Sequence, residues 1–537
     1  MKRRWKWTLV ILGVFLAVAL SAGVLVIRWL FTPAEAGWRR DRTAHRSVPL
    51  PDGRGWRGDG SGVYPDAHPP LHWSSTANVV WRTPMPSRSN ATPVPFGDRV
   101  FVTAEPDLVM AVRAADGAIL WQHHVPALSG LPPEEMAAAE KALKEAEGVD
   151  QALPGLMAEL AKLKRDARME NPPAELPARI AEVQQSIASM QARQAAAALY
   201  VSRTDDSYIG DAAQTPVTDG KSVFVAFGSF VVAAFDLEGN RRWLVRLPHS
   251  LPDHQNGERV GVGASLLLAA DRLIVPMGQL FGLDPETGHI EWTRNYYRSW
   301  GTPARATLGS TEVIGSPSGD VIRAEDGALL ARFVAPSQFT GPVASGNVLM
   351  FVGENKSVGA LGALLPDSSR LPPPTGAGPA DEDTGGLQVS VLNLPHAVAA
   401  YELPVDDTKA FNPRLIWHSE QLRENRSTPL VLDGRLIAIE ADARLRVFDA
   451  HTGQLLHSKR LDTDASVVSS PAVAGDNLYV ITEAAKTYVL SPAEPYGVLA
   501  ENKLEDDSMR ASPVFDGNHL YLRTWKYLYC IGNAAIP

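Results

Sequence analysis

Ser427-Thr428-Pro429-Leu-Val-Leu-Asp433-Gly434-Arg-Leu-Ile-Ala-Ile439 is a short apolar run, a two-residue turn and a second apolar run, and the chain repeats this pattern twice. Ser469-Ser470-Pro471 opens the next copy, with its turn at Gly475-Asp476, and Ala511-Ser512-Pro513 opens the third, with Asp516-Gly517. The prolines 429, 471 and 513 are 42 residues apart each time. Alternating apolar residues on either side of an Asp-Gly turn predict a β-hairpin. A hairpin unit recurring every 40–50 residues or so predicts the blades of a propeller.

Further copies lie upstream at Thr92-Pro93, Thr215-Pro216, Ala264-Ser265, Thr302-Pro303 and Gly341-Pro342. The steps between them are 123, 49, 38 and 39 residues, then 87 to Pro429. The two long steps read as insertions, so eight copies predict eight blades, with seven as the alternative if one copy is degenerate. Asn78-Val-Val-Trp81-Arg-Thr is a strand without a partner of its own, and the last copy lacks a fourth strand. Pairing the two would close the ring and remove an exposed edge.

A second motif marks the outer part of the blades. It is Asp116-Gly117-Ala-Ile-Leu-Trp121 in blade one, Gly239-Asn-Arg-Arg-Trp243 after Asp236, and Asp284-Pro-Glu-Thr-Gly288-His-Ile-Glu-Trp292. Weaker copies are Glu325-Asp326-Gly327 and Asp449-Ala-His-Thr-Gly453, and blade five ends on Trp417. The chemistry is structural: the Asp accepts turn N–H groups, the Gly supplies a positive φ, and the Trp fills the gap between blades. This pattern, repeated with Ser/Thr-Pro, resembles the PQQ-binding-like β-propeller repeat proteins of the quinoprotein alcohol dehydrogenase-like superfamily, which includes BamB-like assembly factors. The resemblance covers about residues 75–533 outside the insertions. It implies the fold, and it implies either a scaffold or a quinone enzyme.

The first insertion, at about 128–202, is rich in helix formers. Leu156, Leu160 and Leu163, then Ile180, Val183, Ile187 and Met190, give two coiled-coil-like seams broken at Asn171-Pro172-Pro173. They predict a helical hairpin. The second, at about 359–394, is Pro/Gly-rich with Asp381-Glu382-Asp383 and predicts a flexible loop.

Residues 7–27 form a 21-residue apolar run without a charge, after Lys2, Arg3, Arg4 and Lys6. That length matches the hydrocarbon core of about 30 Å at 1.5 Å per residue. Residues 1–31 therefore read as a single-pass inner-membrane anchor, with a cleaved signal segment as the alternative at Ala34-Glu35-Ala36. Residues 32–75 read as linker and lead-in, and 76–537 as the propeller, placed in the bacterial periplasm, or secreted if cleavage occurs. A net charge of −9 with 21% charged residues argues against a nucleic-acid partner. Cys530 is the only cysteine, which excludes an internal disulfide and a Cys-based metal site.

No residue set predicts catalysis or a metal. His123-His124 and His451 with His457 lack ligand spacing with a third donor, and Gly261-Val-Gly263 precedes a strand, not the helix a phosphate loop needs. The resemblance would allow PQQ with calcium, but the single cysteine excludes the vicinal disulfide often found beside it. The reading is a non-catalytic, extracytoplasmic scaffold for protein partners, possessing no cofactor. The alternative is a PQQ-dependent dehydrogenase or another propeller enzyme. In a propeller the residues three places before each proline enter the inner strand on one face. They are Asn90, Ala213, Trp300, Phe339, Arg426, Val468 and Arg510, with Val262 in the copy lacking proline. Arg426, Arg510 and Asn90, with Arg88 and Arg423, predict a basic sector of that mouth, faced by an aromatic sector of Trp300 and Phe339. Both insertions should rise from the same face.

An uncleaved anchor keeps the amino terminus and leaves the protein in the membrane after a carbonate wash. Terminal sequencing that begins at Gly37 would establish cleavage instead.

Overall fold

The computed structural model describes residues 54–169, 172–197, 200, 209–248, 263–295, 299–317, 319–332, 337, 339–352, 398–404, 411, 413–505 and 507–533. Among them stand eight antiparallel sheets of four blade strands each. Blades one to seven span 94–124, 217–246, 267–295, 304–332, 343–419, 430–460 and 472–503. In each, the chain runs from the innermost strand outward, so the ring has eight blades. The Ser/Thr-Pro copies sit at the start of each inner strand, on what we call the proline face. The Asp-Gly turns lie on the opposite, turn face. At Asp433-Gly434 both residues have positive φ, 47° and 71°, which the two-residue hairpin requires.

Each interface between neighbouring blades holds one apolar cluster, eight in all. Middle strands face a neighbour on both sides, so they are apolar on both faces: Ser222–Phe227 is buried throughout. Outer strands alternate, and Leu455–Arg460 reads half-buried, exposed, half-buried along its length.

The Trp motif locks five of the eight interfaces at the rim. The indoles of Trp121, Trp243, Trp292 and Trp417 donate to the carbonyls of Leu237, Pro285, Ala324 and Ala450 in the next blade's turn, at 2.8–3.1 Å. Trp81 does the same to Ala114 at 2.7 Å. The glycine of that turn needs more than its positive φ. A Cβ on Gly453 would lie 2.4 Å from the Trp417 ring, and one on Gly288 would lie 2.6 Å from Trp243. The turn aspartates accept backbone N–H groups as expected: Ala118 on Asp116, Glu286 on Asp284 and His451 on Asp449, at 2.7–3.0 Å.

Closure is as the sequence predicts, and the lead-in adds to it. Two strands precede blade one, β1 (Val63–Tyr64) and β2 (Val79–Pro84). The second is the outer strand of blade eight, antiparallel to Tyr527–Ile531, with Trp81 opposite Cys530. The first lies on the axis, parallel to Ala472–Ala474, the innermost strand of blade seven. Arg54 exchanges two backbone hydrogen bonds with Thr218 and pairs with Asp516 at 2.8 Å, both at the turn face. The chain then rises inside the ring to Trp56 and Arg57, turns over Asp59-Gly60-Ser61-Gly62, and returns along β1. Residues 54–64 thus form a U-shaped plug, within the stretch that the sequence reads as linker and lead-in.

The first insertion holds three helices, not the two of a hairpin: α1 (Pro133–Ala146), α2 (Val149–Asp166) and α3 (Leu176–Ala197). The α3 helix packs against both others. Val183 and Ile187 are buried in its seam, and Arg179 pairs with Glu159 of α2 at 2.8 Å. The α1 helix went unread because its Ala-rich run has few large apolar residues to mark a seam. No helix among the described residues is long and apolar enough to cross a membrane. Residues 7–27, Val262 and the loop 359–394 lie outside the described residues.

Without residues 78–84 the edge of Tyr527–Ile531 has no partner. A chain beginning at Ser87 should aggregate or melt well below one beginning at Arg54. Equal melting temperatures would refute closure by β2.

Candidate functional site

The hydroxyl before each proline bonds to the preceding blade. Thr92 N–H donates to Thr215 Oγ1 (3.0 Å), Thr215 N–H to Ser265 Oγ (3.2 Å) and Ser265 N–H to Thr302 Oγ1 (3.0 Å). Gly341 N–H donates to Thr428 Oγ1 (2.9 Å), Thr428 to Ser470 and Ser470 to Ser512 (3.0 Å each), and Ser512 to Thr92 (3.3 Å). The bonds run in one sense around the axis. At the remaining step Gly341 stands where a hydroxyl would be, and a Cβ there would lie 2.1 Å from Thr302 O. Backbone contact replaces the bond.

Inside this collar is a cup of about 140 Å³. Asn90, Ala213, Trp300, Phe339, Arg426, Val468 and Arg510 all line it, so the structure brings the described positions three before proline to one cavity. Trp56 of the plug also lines it. Two residues of the sequence-predicted face lie outside the cup. Arg88 stacks on Trp525 at 5.6 Å, and Arg423 is exposed on the rim with its N–H on Glu440 Oε1 (2.8 Å).

The expected opposition of basic and aromatic sectors is corrected. Trp300 and Phe339 touch, with centroids 4.6 Å apart, and the Arg426 guanidinium lies 5.5 Å from the centre of the Phe339 ring. Blades four, five and six are neighbours, so the aromatic pair joins the basic sector instead of facing it. Trp525 was missed. It lies in the second-to-third-strand loop of blade eight, between Arg88 and Arg510 (5.7 Å), with its indole 3.4 Å from Asn90 Oδ1. An aromatic residue in a loop of the proline face was the available signal.

Arg426 and Arg510 line the cup, and no carboxylate is among its described lining residues. Their acidic partners, Glu424 (2.8 Å) and Glu483 (2.7 Å), stand outside the lining. Arg57 is fully buried. It donates to the carbonyls of Pro429 (2.9 Å), Pro471 (3.1 Å), Ser61 (3.1 Å) and Thr428 (3.4 Å). Burial lowers its pKa to about 10, so it stays charged at neutral pH. Among the described residues no group of His, Cys, Asp or Glu could hold a metal ion. Among the described residues that line the cup none is a carboxylate that could hold the calcium of a bound quinone.

Glu105 staples blade one to blade two on the same face. Its oxygens accept the N–H groups of Asp211 and Ala212, each at 2.9 Å. Burial pushes its carboxyl up to about 7, against the pull of those two N–H groups and Arg88. A folded pKa above the unfolded one stabilises fully below about 4.5, and that contribution is lost as pH rises through about 7. Urea unfolding at pH 5 and pH 8 should therefore show the native chain losing roughly 2–3 kcal/mol relative to Glu105→Gln. A pH-independent difference would show that Glu105 titrates normally.

Residues 33–151 and 408–535 match the family described as outer membrane protein assembly factor BamB. Among solved structures the chain is similar to BamB from Moraxella catarrhalis, at 13% identity over 84% of this chain and 96% of that one, with a TM-score of 0.46. The computationally designed Ika8 protein is similar at 10% identity over 84% and 99%, with a TM-score of 0.47. U3-55K is similar at 10% identity over 58% and 92%, with a TM-score of 0.35. No curated protein sequence matches the chain.

Proposed function

We propose that this chain, a BamB-like β-propeller of the PQQ-like repeat kind, is a non-catalytic scaffold that binds protein partners during assembly of the bacterial cell envelope. The observation that carries the reading is the proline face. Two arginine–aromatic stacks, Arg426 on Phe339 and Arg88–Trp525–Arg510, ring its cup. Trp and Arg are the residues that most often dominate binding energy at protein interfaces. The helical insertion leaves blade one on that face, between His124 and the inner strand of blade two, and Val352 and Val398, the facing ends of two strands of blade five, also lie there. Arg54 lies at the turn face, and Trp56 reaches the cup from inside the ring. The reading includes a single-pass anchor at residues 7–27 and a propeller in the periplasm.

The test compares the two faces. A photo-crosslinking amino acid at Arg423, on the rim, should trap an envelope protein in intact cells, and one at Asp476, in a turn of the other face, should not. Equal trapping from both, or trapping from Asp476 alone, would reject the proline face. Dye-linked alcohol oxidation above background after reconstitution with quinone and calcium would replace the scaffold with the enzyme reading.

A further inference from the structure

The cup has the size and charge of a seat for one acidic side chain. Its volume of about 140 Å³ falls well below the 300–1,000 Å³ or so of sites that enclose whole small-molecule ligands. It is room for a single side chain and little else. Every blade contributes wall, and among the described residues of the wall the ionisable groups are two arginines. Glu424 and Glu483 hold those arginines from outside the lining, which fixes their heads beside the opening.

A third guanidinium lies on the axis among the inner strands. Arg57 is completely buried, and its hydrogen bonds run to four carbonyls. Its Nε is buried with no hydrogen-bond partner. Asp59 lies within electrostatic range of it. A buried cation whose hydrogen bonds all run to carbonyls favours an anion nearby, because the low dielectric of the interior strengthens the attraction. Trp300 and Phe339 give the cup one aromatic wall, Trp56 adds a third ring from the plug, and Asn90 and the collar hydroxyls supply the polar surface between them.

We propose that a glutamate or aspartate side chain at the tip of a partner's loop inserts into this cup. Its carboxylate lies between Arg426 and Arg510, and its stem packs against Trp300 and Phe339. The inference rests on the scaffold reading and names the chemistry by which the partner is held.

The test uses the full chain and isothermal titration with three probes. These are a capped peptide Gly-Ser-Leu-Glu-Leu-Ser-Gly, the same peptide with Gln for Glu, and sodium propionate. The Glu peptide should bind at least tenfold more tightly than either of the others. In the double variant Arg426→Gln, Arg510→Gln its binding should be lost, with an unchanged melting temperature showing that the ring is intact. Equal binding of the Gln peptide, or no binding of the Glu peptide, would overturn the proposal. Propionate binding as tightly as the peptide would make the cup a site for free small carboxylates, and would also overturn it. Partner crosslinking at Arg423 that persists in the double variant would remove the cup from partner capture and leave the scaffold standing. Peptide binding without any crosslink at Arg423 would support the acidic seat while rejecting the scaffold.

Discussion

A backbone N–H donated to the hydroxyl before the next blade's proline fixes the inner geometry of this ring. Seven such bonds link eight blades. Each satisfies a buried donor that would otherwise cost about 1–3 kcal/mol. The donors and acceptors are successive copies of one position, so the bond explains why Ser or Thr precedes the prolines. The proline itself has no N–H to place and suits the first residue of a strand. Two residues earlier the chain turns its side chain into the cup. The position before the proline builds the collar, and the position three before it is left to differ: Asn, Ala, Trp, Phe, Arg, Val and Arg line the cavity within one chain.

The rim follows the same division of labour with other chemistry. Five indoles each bond to a carbonyl of the next blade and lie on its turn glycine. A residue with a side chain would fail there twice, through the positive φ and through the Trp ring. One of the five is Trp81, carried by β2, so the strand that closes the ring also supplies the standard lock to blade one. Where the motif lacks Trp, as between blades six and seven, His457 packs on Tyr496 at 4.9 Å.

Most of the fold was legible because it is periodic. Eight prolines or their equivalents set the blade count, and an unpaired strand at one end matched a missing strand at the other. The positions lining the cup followed from the same period. What had no period was not legible. Trp56 and Arg57 lie in a Gly/Pro-rich lead-in, and Arg57 meets carbonyls 371 to 414 positions away in sequence. The contact of Arg426 with Phe339 needed the spacing of adjacent blades, which no residue pattern supplies. Trp525 falls in a loop outside both repeated motifs, so the pattern that found its neighbours passed over it.

The plug answers a problem that the ring creates. Closing the outer edge of blade eight removes the break in the repeat, but each blade still presents an inner strand edge to the axis. Such edges carry backbone groups that want partners. The lead-in meets them where it can. β1 adds a parallel strand to blade seven, Arg54 bridges to Thr218 of blade two, and Arg57 gathers carbonyls from blades six and seven. Arg57 does so with a positive φ of 55° and a desolvated charge, and a lysine would raise the second cost because its ammonium is more strongly hydrated. Lysine lacks the planar fork that reaches several acceptors at once. Gly62 is fixed by the same choice, since a Cβ there would lie 2.4 Å from the guanidinium. Residues 54–64 are therefore part of the propeller's interior, and Trp56 reaches the cup because Arg57 holds the tip of the plug among the inner strands.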